Sequence, residues 1–386
     1  MRIVEVRELP VRMTGQIANA VVNFSRHDIS LVALVSDVVR GGRPVTGLAF
    51  NSIGRFAQSG IIRDRLIPRI MAAAPDAYSD GHDGISPSAL VKIMMQDEKP
   101  GGHGDRASAI AALELAAWDL RAKLADQPAY AAIGKAFDRT PVQQVSVYAA
   151  GGYYYPEDGA DRLRSELRSY QELGFDKFKI KVGGVTADED LARLDAAVET
   201  AGSGAHIGVD ANGRFDLKGA IALGNMLKPY GLRWYEEAGD PLDYDLNRQV
   251  IEAYQGPVAT GENLFSAVDV QNLLRHGGMR PGVDIFQMDA GLSYGLTEYA
   301  EMIRLLEAHG FDRTAAYPHG GHLLNLHIVA GLNLGGCEAY PAVFQPFGGY
   351  LPELRIEAGM IGLPDHPGFG LEAKPELRPH LDKLLA

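Results

Sequence analysis

Three acids, Asp210, Glu236 and Glu262, stand 26 residues apart in both intervals. Each closes a short apolar run, HIGVD, LRWYE and PVATGE, that reads as a β-strand. One strand–helix unit of a parallel barrel is about that long, since a complete (β/α)8 barrel takes roughly 250 residues. The spacing predicts three carboxylates at the C-terminal ends of successive strands, around one mouth. Carboxylates gathered there repel one another unless a hard cation joins them. Mg²⁺ is the expected ion, because it takes oxygen ligands and keeps open positions for substrate. A lone acid at a strand end is more often a helix cap or a surface charge. The equal pitch is what favours a site.

The series continues on both sides. KFKIK ends at Lys181, 29 residues before Asp210, and DIFQMD ends at Asp289, 27 after Glu262. RTAAYPH then ends at His319, 30 residues further on. Polar residues at these strand ends read as catalytic, whereas the opposite barrel face reads as stability. Lys181 is the candidate general base, and Lys179 places a second ammonium on the same strand face. Asp289 gives His319 a partner that would fix its tautomer. His322 makes an HxxH pair with His319, but no third nitrogen is in phase, so a zinc site is not expected.

A rival chemistry sits in Gly291-Leu292-Ser293-Tyr294-Gly295, which matches the G-x-S-x-G turn of serine hydrolases. It would need an acid and a histidine downstream. Asp312 and His319 could serve, but they are only seven residues apart. The hydrolase reading also leaves the carboxylate series unexplained.

The elements that must position these groups follow from the rest of the chain. Three strand-like runs, RIVEVREL, SLVALVSDVV and VTGLAF, open it, and helical segments end in DRASAIAALELAAWDLRAKLAD. Strands followed by helices mark an α+β unit. From about Gln144 the pattern alternates strand and helix. Thr186 and Glu189 form a capping box at the start of one such helix. The tail RIEAGMIGLPDHPGFGLE reads as a short hairpin and loop outside the barrel. At 386 residues the chain exceeds one compact core, so two domains are expected.

Composition removes other classes. No apolar run is long enough to span a bilayer, and MRIVEVREL lacks a signal peptide's apolar region. One cysteine, Cys337, excludes internal disulfides and fits a reducing cytoplasm. A net charge of −12 argues against nucleic acid as a partner. It also means that an anionic substrate needs local cations.

KIK at 179–181, DAN at 210–212, YEE at 235–237, GEN at 261–263 and the Asp289/His319 pair together resemble the enolase superfamily, mandelate racemase group. The resemblance covers essentially the whole chain. It implies a (β/α)7β TIM-like barrel under an α+β capping domain. Residues 1–140 would form the cap, 141–342 the catalytic barrel and 343–386 a segment returning to the cap. NAVVNF, FNSIGRF, QDEKPGGHGDR, YAAGGYYYP, EEAGDPLDY, ATGENLFS and YPAVFQPFGG resemble dehydratases of that group acting on hydroxy diacids.

That likeness implies Asp210, Glu236 and Glu262 as Mg²⁺ ligands, Lys181 as base, and His319 with Asp289 as acid. Asn19, Asn51, Lys99, Lys179, Asn212, Asn263 and Glu338 are the implied substrate contacts, with Lys99 and the Asn19/Asn51 loops at a distal carboxylate. The strands carrying Lys181 and His319 are expected to face each other across the mouth. The expected reaction removes the proton α to a carboxylate and expels the 3-hydroxyl, taking D-tartrate to oxaloacetate. Other acid-sugar dehydratases, and racemases or epimerases of 2-hydroxy acids, would use the same residues. The expected partner is a small hydroxy carboxylate, and a cytoplasmic homo-oligomer without membrane or nucleic-acid contacts is the expected state.

Overall fold

A computed structural model describes residues 1–15, 17–155, 159–341 and 343–386. The expected boundary at residue 342, and Pro156 of the YAAGGYYYP run, lie outside the described residues. Strands β1 (Ile3–Arg12), β2 (Asp28–Arg40) and β3 (Arg43–Phe50) form an antiparallel meander in chain order. The sheet packs on the helix Asp105–Leu124, an alanine-rich rod buried on nearly every side. Small side chains let the layers approach closely. A Cβ on Gly47 of β3 would lie 2.1 Å from the Ala116 carbonyl oxygen, so only glycine fits there. Buried Asp119 on the same helix accepts from the Leu48 N–H at 2.7 Å and the Phe369 N–H at 2.6 Å. One carboxylate thereby ties the amino-terminal sheet to the carboxy-terminal segment.

The second unit is a ring of parallel strands. β4 (Gln144–Ala150), β5 (Phe178–Lys181), β6 (Ile207–Asp210), β7 (Trp234–Glu236), β8 (Val258–Thr260) and β9 (Ile285–Phe286) pair in sequence order. β10 (Cys337–Ala339) returns to pair with β4. The gap between β9 and β10 is filled by Ala316–Tyr317. The Tyr317 N–H donates to the Phe286 carbonyl at 2.8 Å, and the Gly335 N–H to the Ala316 carbonyl at 3.0 Å. Eight positions therefore close the barrel, which leaves no free edge on the ring. Helix starts follow the sequence signals: Thr186 and Glu189 form a reciprocal capping box before the helix Ala187–Ala201.

The hairpin of β11 (Ile356–Glu357) and β12 (Met360–Gly362) is not detached from the barrel, contrary to the sequence reading. β12 pairs antiparallel with Gln144–Ser146, the stretch of β4 that β10 leaves free. Unpaired strand edges recruit partners, and this one is covered by the tail. The chain then reaches the first sheet, where the Arg7 guanidinium donates to the Leu384 carbonyl at 3.1 Å. Among the described residues no helix is long and apolar enough to cross a membrane.

Candidate active site

Register sets the floor of the site. Lys181 of β5 pairs with Asp210 of β6, and Asp210 with Glu236 of β7. The three therefore lie level at the C-terminal mouth. Glu262 follows β8, and oxygen atoms of Asp210, Glu236 and Glu262 come within 4.8 Å of one another. The Lys181 ammonium bonds to Asp210 Oδ2. Burial would raise Asp210, but Lys181 and Lys179 outweigh it and hold it down at about 2. Glu236, pushed up by burial and by the Asp210 charge, reaches about 8. Such a shift marks carboxylates crowded without enough positive charge.

A tally of the surrounding charges agrees. Asp210, Glu236, Glu237, Glu262, Asp289 and Glu338 face Lys179, Lys181, His319 and Arg55. Six acids against four cations is an excess of two carboxylates, and Glu236 and Glu237 are correspondingly pushed up towards their neutral forms. A three-carboxylate donor set with open positions suits Mg²⁺.

His319 follows the short seventh position. Its Nδ1 lies 3.2 Å from Asp289 Oδ2, and its Nε2 lies 3.7 Å from Glu262 Oε2 and 3.3 Å from the Tyr340 hydroxyl. Burial would lower His319, but Glu262, Asp289 and Glu338 outweigh it and raise it to about 9. The ring is thus an imidazolium at neutral pH and can give up a proton. Around the eight-position ring, β5 and the seventh position lie three steps apart one way and five the other. Lys181 and His319 therefore meet across the mouth obliquely rather than head-on.

Both side chains line one cavity of about 190 Å³. Asn19, Asn212 and Asn263 line it as well. Asn19 Oδ1 is occupied by the N–H groups of Val21 and Val22, which holds its loop in place. Asn212, in the left-handed region at φ 48°, donates to Asp210 Oδ2 at 3.2 Å. Asn263 donates to Glu237 Oε1 at 2.8 Å and accepts from Arg55 at 2.6 Å.

Four expected substrate contacts sit elsewhere. Lys179 is buried one layer below the mouth, paired with Glu236 at 2.8 Å and Glu338 at 2.7 Å. Glu338 is its counterion, and accepts from the Gly320 N–H at 2.8 Å and the Tyr340 hydroxyl at 3.0 Å. Burial would raise Glu338, but Lys179 and His319 hold it at about 2. Asn51 is buried and accepts from the Ser30 N–H at 2.7 Å, so it shapes the loop after β3 instead of facing the cavity. Lys99 is exposed on a loop outside the cavity lining, with its carbonyl accepting from Arg106.

The distal cation in the lining is Arg55, which the sequence reading passed over. It stacks 5.0 Å from the Phe265 ring centroid. Glu237, Tyr153 and Tyr340 also line the cavity unforeseen. Signals existed for Arg55 in FNSIGRF, Glu237 in YEE, Tyr153 in YAAGGYYYP and Tyr340 in YPAVFQPFGG. Burial and the charges of Glu262 and Asp210 push Glu237 well above the usual carboxylate range.

Ser293 does not form a nucleophile elbow. It is buried and its hydroxyl donates to the Asp289 carbonyl at 2.6 Å. Asp312, the acid such a triad would draft, instead caps Arg313–Ala315 through Thr314. His322 faces Ser52 at 2.9 Å, and burial lowers it to about 4.

A closed parallel barrel carrying acids, a lysine and a histidine at its C-terminal mouth, under an α+β cap, defines a barrel enzyme built for metal-assisted proton chemistry. Residues 162–377 match the family described as enolase C-terminal domain-like, and the chain belongs to it, within the enolase superfamily. It is 29% identical over 280 residues to arabinonate dehydratase of Saccharolobus solfataricus, covering 70% of this chain and 71% of that protein. It is 32% identical over 280 residues to 3,6-anhydro-alpha-L-galactonate cycloisomerase of Streptomyces coelicolor, covering 70% of each. Among solved structures, L-talarate dehydratase from Polaromonas sp. JS666, complexed with Mg and L-glucarate, superposes with a TM-score of 0.76 at 23% identity. That match covers 96% of this chain and 95% of the other.

Proposed function

We propose that the protein is a Mg²⁺-dependent dehydratase of a short hydroxy diacid, with D-tartrate as substrate and oxaloacetate as product. The observation that carries this reading is the shared cavity: Lys181 and His319 both line it beside the three-carboxylate set. Mg²⁺ held by Asp210, Glu236 and Glu262 would supply a Lewis acid that polarises the substrate carboxylate. Lys181 Nζ, as the free amine once its own proton has passed to solvent, takes the proton from C2. His319, its Nδ1–H engaged by Asp289, delivers a proton from Nε2 to the 3-hydroxyl, which leaves as water. The enol product ketonises to the 2-keto acid. Lys179 and Glu338 neutralise each other beneath and hold Glu236 in place.

Size and lining support a short diacid. About 190 Å³ falls below the ~300–1,000 Å³ typical of drug-sized ligands. Val21, Val22, Ile53 and Phe344 give one wall no partners for the further hydroxyls of a long sugar acid. Arg55 offers the cation for a second carboxylate. The arabinonate dehydratase and talarate dehydratase relatives support elimination of water as the reaction class.

The division into a cap of 1–140, a barrel of 141–342 and a returning segment of 343–386 is part of this proposal. So are a cytoplasmic setting, supported by the lone buried Cys337, and a homo-oligomeric state. The test is a screen of Mg²⁺-loaded protein against four-carbon hydroxy diacids and five- and six-carbon sugar acids, read as 2-keto acid formation. Turnover of D-tartrate is expected. An inert D-tartrate beside a rapidly consumed six-carbon acid would refute the substrate while leaving the acid–base roles standing.

A further inference from the structure

Beside the Asp289–His319 pair lies a buried polar chain that neither the metal set nor the substrate cavity uses. It begins at the helix Leu323–Leu332. His322 caps this helix, its Nδ1 accepting from the Asn325 N–H at 3.4 Å. An accepting Nδ1 on a neutral ring leaves the proton on Nε2. The ring is neutral because burial lowers it to about 4. Nε2 lies 2.9 Å from Ser52 Oγ, so the ring donates and the serine oxygen accepts. The serine proton must then turn elsewhere, and the Asp289 carboxylate, which the hydroxyl helps to hold below its usual range, packs beside it against Gly320.

The packing around Gly320 shows how closely these groups meet. A Cβ built there would lie 2.7 Å from Ser52 Oγ, 2.8 Å from Asp289 Oδ2 and 2.8 Å from His322 Nε2. The order of the chain follows: His322 donates to Ser52, Ser52 packs beside the Asp289 carboxylate, and His319 meets Asp289 Oδ2 at 3.2 Å. Asp289 Oδ1 accepts from the Gly291 N–H at 2.8 Å and from the Asn325 side-chain amide at 3.4 Å. Ser52 is the member that comes from the amino-terminal unit, just after β3. Its N–H donates to the Gly291 carbonyl at 3.1 Å, so its backbone and its side chain both hold the loop that carries Asp289.

We infer that Ser52 is a positioning residue for the general acid, passing the orientation set by the His322 cap to Asp289 and hence to His319. The inference rests on the acid–base roles proposed above. It concerns only the acid arm of the reaction, because Ser52 touches neither Lys181 nor the three-carboxylate set. A residue that merely stabilised the fold would slow both arms together. A positioning residue slows water loss and leaves C2 proton removal in place.

The experiment compares wild type, Ser52→Ala and Ser52→Cys with D-tartrate and Mg²⁺ in D₂O. Elimination is read as 2-keto acid, and exchange as deuterium at C2 of recovered substrate. Ser52→Ala should eliminate about 10–100-fold more slowly, the range seen when the partner orienting a functional histidine is removed. Exchange should run at least as fast as in wild type. The weakly donating thiol of Ser52→Cys should fall between. Equal loss of both reactions in a folded variant, or no loss of either, would overturn the inference. If Ser52→Ala does not fold, His322→Asn interrupts the chain from its far end and must show the same split.

The low-field imidazole N–H proton resonance that disappears in His319→Asn supplies a readout without turnover. It should move in the Ser52 variants, and an unmoved signal would overturn the inference. A wild-type protein inert towards every hydroxy acid would instead remove the proposed reaction, and the resonance would still decide for or against Ser52.

Discussion

The floor and the outer wall of the cavity are built on different principles. The floor groups Lys181, Asp210 and Glu236 sit on paired strands, where register makes neighbours level. The wall groups Asn19, Ile53, Arg55 and Phe344 come from loops, and only the folded chain brings them together. The floor is charged and tightly paired, whereas the wall is largely apolar with one cation. The difference teaches where each kind of function resides. On the proposed roles, proton chemistry, which needs fixed distances, falls to the ladder, and substrate choice to the loops, which tolerate change.

The sharpest way to break this comparison is to remove the proposed base from the floor. Lys181→Ala should lower elimination by at least about 10²–10⁴-fold and stop C2 exchange with D₂O as well. Retained exchange would show that another group takes the proton. A smaller effect is expected at the wall. Arg55→Met should weaken use of a four-carbon diacid by about 10–100-fold, the size of one lost charged hydrogen bond, and barely touch a monoacid analogue. Lys99→Ala, on a loop outside the lining, should change the diacid preference far less. The reverse order in kcat/KM would return the distal role to Lys99.

The histidines repeat the contrast between paired and unpaired burial. His319, among carboxylates, is raised, whereas His327, buried against Tyr130 and Phe369, is lowered to about 3 by burial. The unfolded chain takes up the His327 proton near pH 6.5 and the folded chain only near pH 3. Stability from this group is therefore complete above pH 6.5 and falls by up to about 1.4 kcal/mol per pH unit below it. Urea titrations spanning about pH 7.5 to about pH 5, across the ordinary histidine range, should show that slope reduced in His327→Gln. An unchanged slope would mean that the folded protein protonates His327 readily. The smallest effect belongs to Ser293→Ala. It should cost about 1 kcal/mol of stability, for one hydrogen bond, and leave most of the rate. A collapse of turnover with an intact fold would revive the serine chemistry.

How much could be read from the chain follows the same division. The 26-residue pitch located the strand ends, because a barrel repeats its unit length. Alternation placed Lys179 on the same face as Lys181, and it does point inward. Two residues along a strand are about 6.6 Å, however, enough to drop Lys179 from the mouth into the layer beneath. Period alone cannot separate those two levels. Asn51 was drawn away from the cavity by the unpaired Ser30 N–H, a partner 21 residues earlier that no local pattern marks. Arg55 lay in a quoted motif, but its direction depends on Asn263 and Phe265, more than 200 residues away. The hairpin at 356–362 is legible in the chain, but its docking on β4 is not, because that pairing spans the whole barrel sequence.

The central claim is that the strand-end acids serve proton chemistry through a divalent ion. The most direct measurement follows D-tartrate in D₂O with wild-type protein, first with Mg²⁺, then after exhaustive chelation with EDTA, then with Mg²⁺ restored. The proposed mechanism predicts oxaloacetate formation in the first and third conditions, with both elimination and C2 exchange abolished in the second. Full turnover after chelation would contradict it.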